Sequence, residues 1–225
     1  MIAETSAGPI EAWLRRGSGP RVYLSTGIHG DEPAGPLALL DLMKGGFFSD
    51  PEFRHFDWAI CPALNPTGLA LGTRGNADGI DLNRDYWNRH TPEIAAHVAW
   101  LESWGWPDLF LSLHEDSDTS GFYFYEINLR EDQPQRADAI LAAVSPWFPA
   151  EPGPEIDGHI PRGPGWIYHA AEADLPEHWP EAIYLSKSGC PLSFTFETPS
   201  SAPLAPRTAA HRAAIQAACK QLPQA

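Results

Sequence analysis

The sequence predicts an α/β fold, a three-layer sandwich in which a mixed, largely parallel sheet lies between helices. Two observations predict it. Short apolar runs alternate along the chain with longer runs of helical periodicity. The polar residues of most interest, His29, Asn65, His114 and Glu197, each end or follow one of the short apolar runs. Open α/β sheets bind their ligands at that edge, beyond the carboxyl ends of the strands.

The elements follow in order. Gly8-Pro9 and Gly17-Ser18-Gly19-Pro20 are turn signals, with a hairpin or edge strand around Ile10 to Leu14. Arg21 to Thr26 reads as a buried strand. Thr26-Gly27-Ile28-His29-Gly30-Asp31-Glu32-Pro33 reads as the loop from that strand into a helix over Pro36 to Lys44, which Gly45-Gly46 stops. Phe56 to Cys61 is a second strand. Asn65 to His90 has no periodicity and is rich in Gly, Asn, Asp and Arg, so a functional loop is expected there. Thr91-Pro92-Glu93 opens a helix to about Trp104, with Ile94, Val98 and Leu101 on its apolar face. Asp108 to His114 and Gly121 to Ile127 are further strands, and Gln133 to Val144 a further helix. Residues 146–165 carry six prolines and read as a surface excursion. Leu192 to Glu197 is the last strand and Ala205 to Leu222 a terminal amphipathic helix. No internal repeat is evident, and residues 1–225 are expected to form one domain.

Composition limits the partners. The 225 residues are 43% hydrophobic, enough for one substantial core, and carry a formal net charge of −14. Nucleic acid and anionic membrane are therefore poor partners, since both need basic surface. A local arginine pair can still bind an anionic substrate. Cys61, Cys190 and Cys219 are far apart, with no Cys-x-x-Cys pair, which suits a reducing compartment. The N-terminus lacks a basic region followed by an apolar stretch, and no apolar run is long enough to span a bilayer. A cytoplasmic location is expected.

Four stretches carry chemistry. His29 and Glu32, three apart in a glycine-flanked turn, can face one point in space, as two ligands of a divalent metal must. Read blandly, the same loop is a helix start, with Asp31 as the cap and Pro33 in the first turn. His114 ends the apolar Leu111-Ser112-Leu113 and would complete a two-imidazole, one-carboxylate set. That set leaves a position open on zinc for water. Glu197, at the exit of Ser193-Phe194-Thr195-Phe196, can take a proton from water and return it to a leaving amine. Arg74 and Arg84, with Asn83, lie in the long loop at the same edge. Arginine forks bind carboxylates and stabilise oxyanions. His55, His97 and His211 read as surface or helix residues without a role.

In this order the motifs resemble those of the zinc carboxypeptidases and their relatives, which include the succinylglutamate desuccinylase and aspartoacylase group. The resemblance runs from about residue 20 to residue 200. It implies the zinc carboxypeptidase-like fold and one Zn2+ held by His29, Glu32 and His114, with Asp81 orienting His29. It implies that Asp81-Leu82-Asn83-Arg84 carries substrate-carboxylate contacts through Asn83 and Arg84. Arg74 is similar to the arginine that polarises the scissile carbonyl, and Phe194-Thr195-Phe196-Glu197 to the strand that bears the general base. The short chain, and the short gap between Glu32 and His114, favour the small bacterial-type or deacylase-like branches. A mobile tyrosine precedes the base in the digestive enzymes, and Tyr184, alongside Tyr168, is the candidate for that substrate contact. The aromatic run Gly121-Phe122-Tyr123-Phe124-Tyr125-Glu126 is expected to be mostly strand core with one face exposed, the alternative being that it lines the site. The implied activity is metal-assisted amide hydrolysis beside a free carboxylate, on a small or cell-wall peptide. The alternative is removal of an acyl group from an N-acyl amino acid. An inactive binding scaffold is the remote third reading, since every presumed ligand and the base are present.

Overall fold

In a computed structural model, which describes residues 1–222, the pleat of the central strands decides the architecture. Seven strands form one sheet in the order β3 (Trp13–Arg15), β5 (Asp57–Cys61), β4 (Arg21–Thr26), β6 (Leu109–Asp116), β9 (Leu192–Pro199), β7 (Tyr123–Asn128) and β8 (Trp166–Tyr168). Strands β5, β4, β6 and β9 run parallel, while β3 and the β7–β8 pair run against them at the two edges. Successive side chains point to opposite faces. Val22, Leu24, Leu109, Leu111, Leu113, Phe194 and Phe196 therefore enter one core, and Tyr23, Ala59 and Phe110 enter another.

Helices α1 (Ala34–Lys44), α4 (Gln135–Val144) and α6 (Leu204–Lys220) cover the first face. Helices α3 (Pro92–Trp104) and α5 (Glu181–Ser188) cover part of the second. The expected three layers are present. Strand and helix positions agree with the sequence reading where the patterns are long. The ends are set by caps: the Thr91 hydroxyl accepts from the Ile94 N–H at the start of α3, and Gly189 turns the chain at the end of α5 with φ 119°.

The differences fall on short elements. The N-terminal segment forms a separate hairpin, β1 (Ala3–Thr5) and β2 (Gly8–Ile10), before the edge strand β3. The aperiodic stretch holds the six-residue helix α2 (Pro66–Leu71), whose N-terminus is capped by Asn65, and a 3-10 turn at Leu82–Arg84. Neither is long enough to show a period. Strand β8 and helix α5, at three and eight residues, were invisible for the same reason. The proline-rich segment is not a loose excursion. Its Ala150 forms an isolated parallel bridge with Phe122, just before β7, and it buries Phe148 and Ile156. His97 and His211 lie on helices, as read, but are fully buried rather than at the surface. Asp31 is exposed and caps nothing. The Ala34 N–H at the start of α1 is bound instead by Glu115, the residue after His114, and Arg207 pairs with that carboxylate.

The loop after β4 is seated tightly. The Gly30 N–H donates to the Thr73 carbonyl, and Asn65 Nδ2 donates to the Ile28 carbonyl while Asn65 Oδ1 accepts from the Gly68 N–H. A Cβ on Gly30 would stand 1.9 Å from the Gly68 carbonyl carbon, whereas one on Gly163 would meet nothing closer than 4.0 Å. Gly30→Ala is expected to cost about 1–3 kcal/mol through forced backbone displacement, and Gly163→Ala little. Equal urea midpoints for the two variants would refute this seating of the loop.

Candidate metal centre and cleft

The second sheet face is left bare at its carboxyl edge, and there it becomes the floor of a cleft. Parity places Ser112 and His114 of β6, Thr195 and Glu197 of β9, and Tyr123, Tyr125 and Ile127 of β7 on that face. His114 lies opposite Glu197 in the parallel register, and Tyr123 opposite Glu197 in the antiparallel one. The loop after β4 adds His29 and Glu32. The long loop adds Arg74, Asn83 and Arg84, and the cleft has a volume of about 580 Å³.

Three side chains converge. His29 Nδ1 lies 2.7 Å from Glu32 Oε1, His114 Nδ1 lies 3.0 Å from Glu32 Oε2, and the two Nδ1 atoms are 3.2 Å apart. All three residues are buried. Donors bound at about 2.1 Å by one tetrahedral ion stand roughly 3.4 Å apart, so this spacing suits a shared divalent cation. The other nitrogen of His29 is engaged by Asp81 Oδ1 at 3.1 Å, the contact that orients a ligating imidazole. Arg74 Nε donates to the other Asp81 oxygen at 3.0 Å, and its Nη1 lies 3.6 Å from Glu32 Oε1. The donor set is two nitrogens and one carboxylate, it is buried, and its outer contacts are in place. The residues fit a zinc-type ion.

Electrostatics agree. Burial alone would raise the Glu32 pKa, but the His114 and His29 imidazoles hold it at about 2. Burial alone would lower His29, yet Asp81 and Glu32 raise it above its usual value, while burial carries His114 below. Glu197 moves the other way: burial, and then the Glu32, Asp116 and Asp157 carboxylates, push it well above the usual carboxylate range, with Arg74 opposing. A carboxyl so raised is suited to both accept and return a proton.

The residues expected from sequence are thus mostly gathered. Asp81, Arg74, His29, Glu32 and His114 touch one another, and Asn83, Arg84 and Glu197 line the same cleft. Asn83 also has a structural task, since its Oδ1 accepts from the Glu181 N–H at the start of α5. Tyr184 does not join them. It is buried on α5, its ring against Tyr86 and Trp106 and its hydroxyl 3.3 Å from Glu102, because the helical turn after Glu181 aims it at the second core. Tyr168 lies outside the cleft, under Arg162. The cleft tyrosines are Tyr123, whose hydroxyl donates to Asp116, and Tyr125, whose hydroxyl donates to Asp157. The alternation Phe122-Tyr123-Phe124-Tyr125 was the signal for them: the phenylalanines enter the core and the hydroxyl-bearing rings face the cleft.

The raised Glu197 pKa carries a sign. Its folded-state value lies above the unfolded one, so in metal-free protein Glu197 reduces stability as pH climbs past the ordinary carboxylate range near 4.5. Metal-free Glu197→Gln is expected to melt above the wild type at pH 8 and to converge with it below about pH 4. Parallel melting curves across that range would show that Glu197 is not held in this environment.

Comparison with known proteins follows the geometry. A family model described as "Succinylglutamate desuccinylase/Aspartoacylase catalytic domain" matches residues 18–145, more than half of the chain. Arabidopsis thaliana carboxypeptidase SOL1 is 36% identical over 93 residues, which are 33% of this chain and 18% of that protein. Caenorhabditis elegans carboxypeptidase E is 35% identical over 120 residues, 44% of this chain and 24% of that one. The chain thus spans under a quarter of these curated relatives. Among solved structures, a candidate metallopeptidase of Shewanella amazonensis shares the fold with TM-score 0.81 at 24% identity, covering 96% of this chain and 84% of its own. The Burkholderia cenocepacia metallo-carboxypeptidase does so with TM-score 0.66 at 21% identity, over 97% and 62%. Among the described residues no helix is long and apolar enough to cross a membrane. The sheet order, the His29–Glu32–His114 group and the family match give one conclusion: the chain belongs to the succinylglutamate desuccinylase/aspartoacylase catalytic-domain family, within the zinc carboxypeptidase superfamily.

Proposed function

We propose that the chain is a zinc-dependent, carboxypeptidase-like hydrolase that cleaves an amide bond next to a free carboxylate, with one Zn2+ held by His29, Glu32 and His114. The convergence of those three donors beside Arg74 and Glu197 in one cleft carries the reading. A zinc ion held there would supply a Lewis acid, activate a water and offset the negative charge around Glu197. Glu197 takes the proton of the attacking water and later hands it to the departing amine. Arg74, half exposed in the cleft and braced by Asp81, donates to the oxyanion, a contact worth roughly 3–4 kcal/mol per donor in other hydrolases. Asn83 and Arg84 hold the free carboxylate. Tyr123 sits beside Glu197 and lines that wall of the cleft.

The substrate we favour is the C-terminal residue of a small or cell-wall peptide. Beyond the arginines the cleft is acidic, with Asp116, Asp118, Asp157, Glu172 and Asp174 along its walls. Such walls attract an amino group and repel a second carboxylate. The 37% identity over 60 residues, 27% of this chain, to Escherichia coli murein peptide amidase A agrees with a peptide of that kind. The family match supports a second reading, hydrolysis of an N-acyl amino acid. An acidic acyl amino acid would meet the same repulsion.

Glu197→Gln is expected to keep its zinc and lose turnover by about 10²–10⁴-fold. Turnover at the wild-type rate would remove Glu197 as the base. Arg74→Ala is expected to lower kcat by roughly 10²–10³-fold with a smaller change in KM. A panel of short peptides with and without a side-chain amine, run beside N-succinyl and N-acetyl amino acids, separates the two substrate readings. Turnover confined to the acyl amino acids would overturn the peptide assignment.

A further inference from the structure

The cleft contains a second convergent set of metal-ligating side chains, apart from the group already described. His159, His169 and Asp174 place one donor atom each within 4.8 Å of one another. They come from three separate segments. His159 ends a tight turn in which Asp157 adopts φ 47° and Gly158 φ 75°, closed by reciprocal hydrogen bonds between Ile156 and His159. His169 follows β8, its N–H donating to the Glu126 carbonyl of β7. Asp174 lies in the segment that leads to α5. The ring of Tyr125 stands edge-on to both imidazoles, with centroids 5.4 and 5.8 Å away.

The spacing is unsuited to plain hydrogen bonds and suited to a cation. Asp174 Oδ2 lies 3.7 Å from His159 Nε2, and Oδ1 lies 3.6 Å from His169 Nε2. Both exceed hydrogen-bond length, and one carboxylate divides its two oxygens between two imidazoles. Donors around a tetrahedral divalent ion stand about 3.4 Å apart. The tautomer is prepared as well. His169 Nδ1 is 2.5 Å from the Ala170 carbonyl oxygen, which can only accept, so Nδ1 carries the hydrogen and, in the neutral ring, Nε2 is the nitrogen free to bind an ion on the side of Asp174. The imidazoles are mostly buried, with side-chain exposures of 23% and 14%, while Asp174 is 68% exposed, so the remaining positions on an ion open to solvent.

We infer that His159, His169 and Asp174 form a second divalent-cation site, for zinc or another ion that accepts imidazole and carboxylate together. An ion there ties the 156–159 turn and the 170–180 segment to the end of β8. That segment contributes Leu175, His178 and Pro180 to the cleft. The site would therefore order the wall that a substrate meets, on the far side of Tyr125 from the sheet core.

The test is stoichiometric. Tag-free protein is stripped with chelator, equilibrated with excess zinc, freed of unbound metal and assayed for zinc per chain. Two ions are expected for the wild type, one for His159→Ala/His169→Ala and one for Glu32→Gln/His114→Ala. Asp174→Asn, at an exposed position that does not threaten folding, is expected to weaken the second ion by at least about tenfold. A single wild-type ion that the Glu32→Gln/His114→Ala variant loses, or undiminished zinc in both the His159/His169 and Asp174 variants, would overturn the second site. Zinc unaffected by Glu32→Gln/His114→Ala but reduced by the His159/His169 variant would instead overturn the first centre and leave this inference standing.

Discussion

Strand parity is the constraint on which the rest depends. His114 and Glu197 are one register step in a parallel pair, and both lie on the face opposite Leu113 and Phe196. A one-residue slip of β9 against β6 would turn Glu197 into the α1–α6 core and Phe196 into the cleft. The phenylalanines on the buried face prevent that slip. Phe194 and Phe196 stack 6.0 Å apart and pack on Phe124 and Phe122, so the register that buries them is the one that presents the carboxylate. Packing on one side of the sheet thereby sets chemistry on the other.

Charge is distributed to match. Close to the His29–Glu32–His114 group, negative charge is held by imidazoles and Arg74, and Glu32 and Asp81 stay ionised despite burial. Across the sheet on β9, Glu197 faces other carboxylates and is driven toward its neutral form. Two environments for like groups within one cleft keep one carboxylate ionised and push the other towards its neutral form.

A second polar network lies behind the cleft, under α3 and α5. His97 bridges the hydroxyls of Tyr23 and Tyr86 at 2.8 and 2.9 Å, and Ser25 donates to Glu181 at 2.7 Å. Burial lowers His97 to about 3 and raises Glu181 to about 7. The network joins the end of β4 to the start of α5, and Asn83 accepts from the first N–H of the same helix on its cleft side. The position of Asn83 in the cleft therefore depends on buried groups that never meet solvent.

Long, regular signals were legible without coordinates. The apolar run of β6, the alternation of β9, the periodic face of α3 and the glycine-bounded loop around His29 pointed to the fold class and to the His29–Glu32–His114 group, because each depends on local pattern over enough residues to stand out. The short elements were not legible, since α2, β8 and α5 hold their shape through caps and neighbours rather than through period. Tyr184 shows the limit most clearly: its residue type suited a cleft, but a helix of eight residues turned it inward. The converse holds for Tyr123, Tyr125, Glu181 and the His159–His169–Asp174 group. Their partners are 5 to 156 residues away in sequence, and only the tertiary fold brings each to its partner.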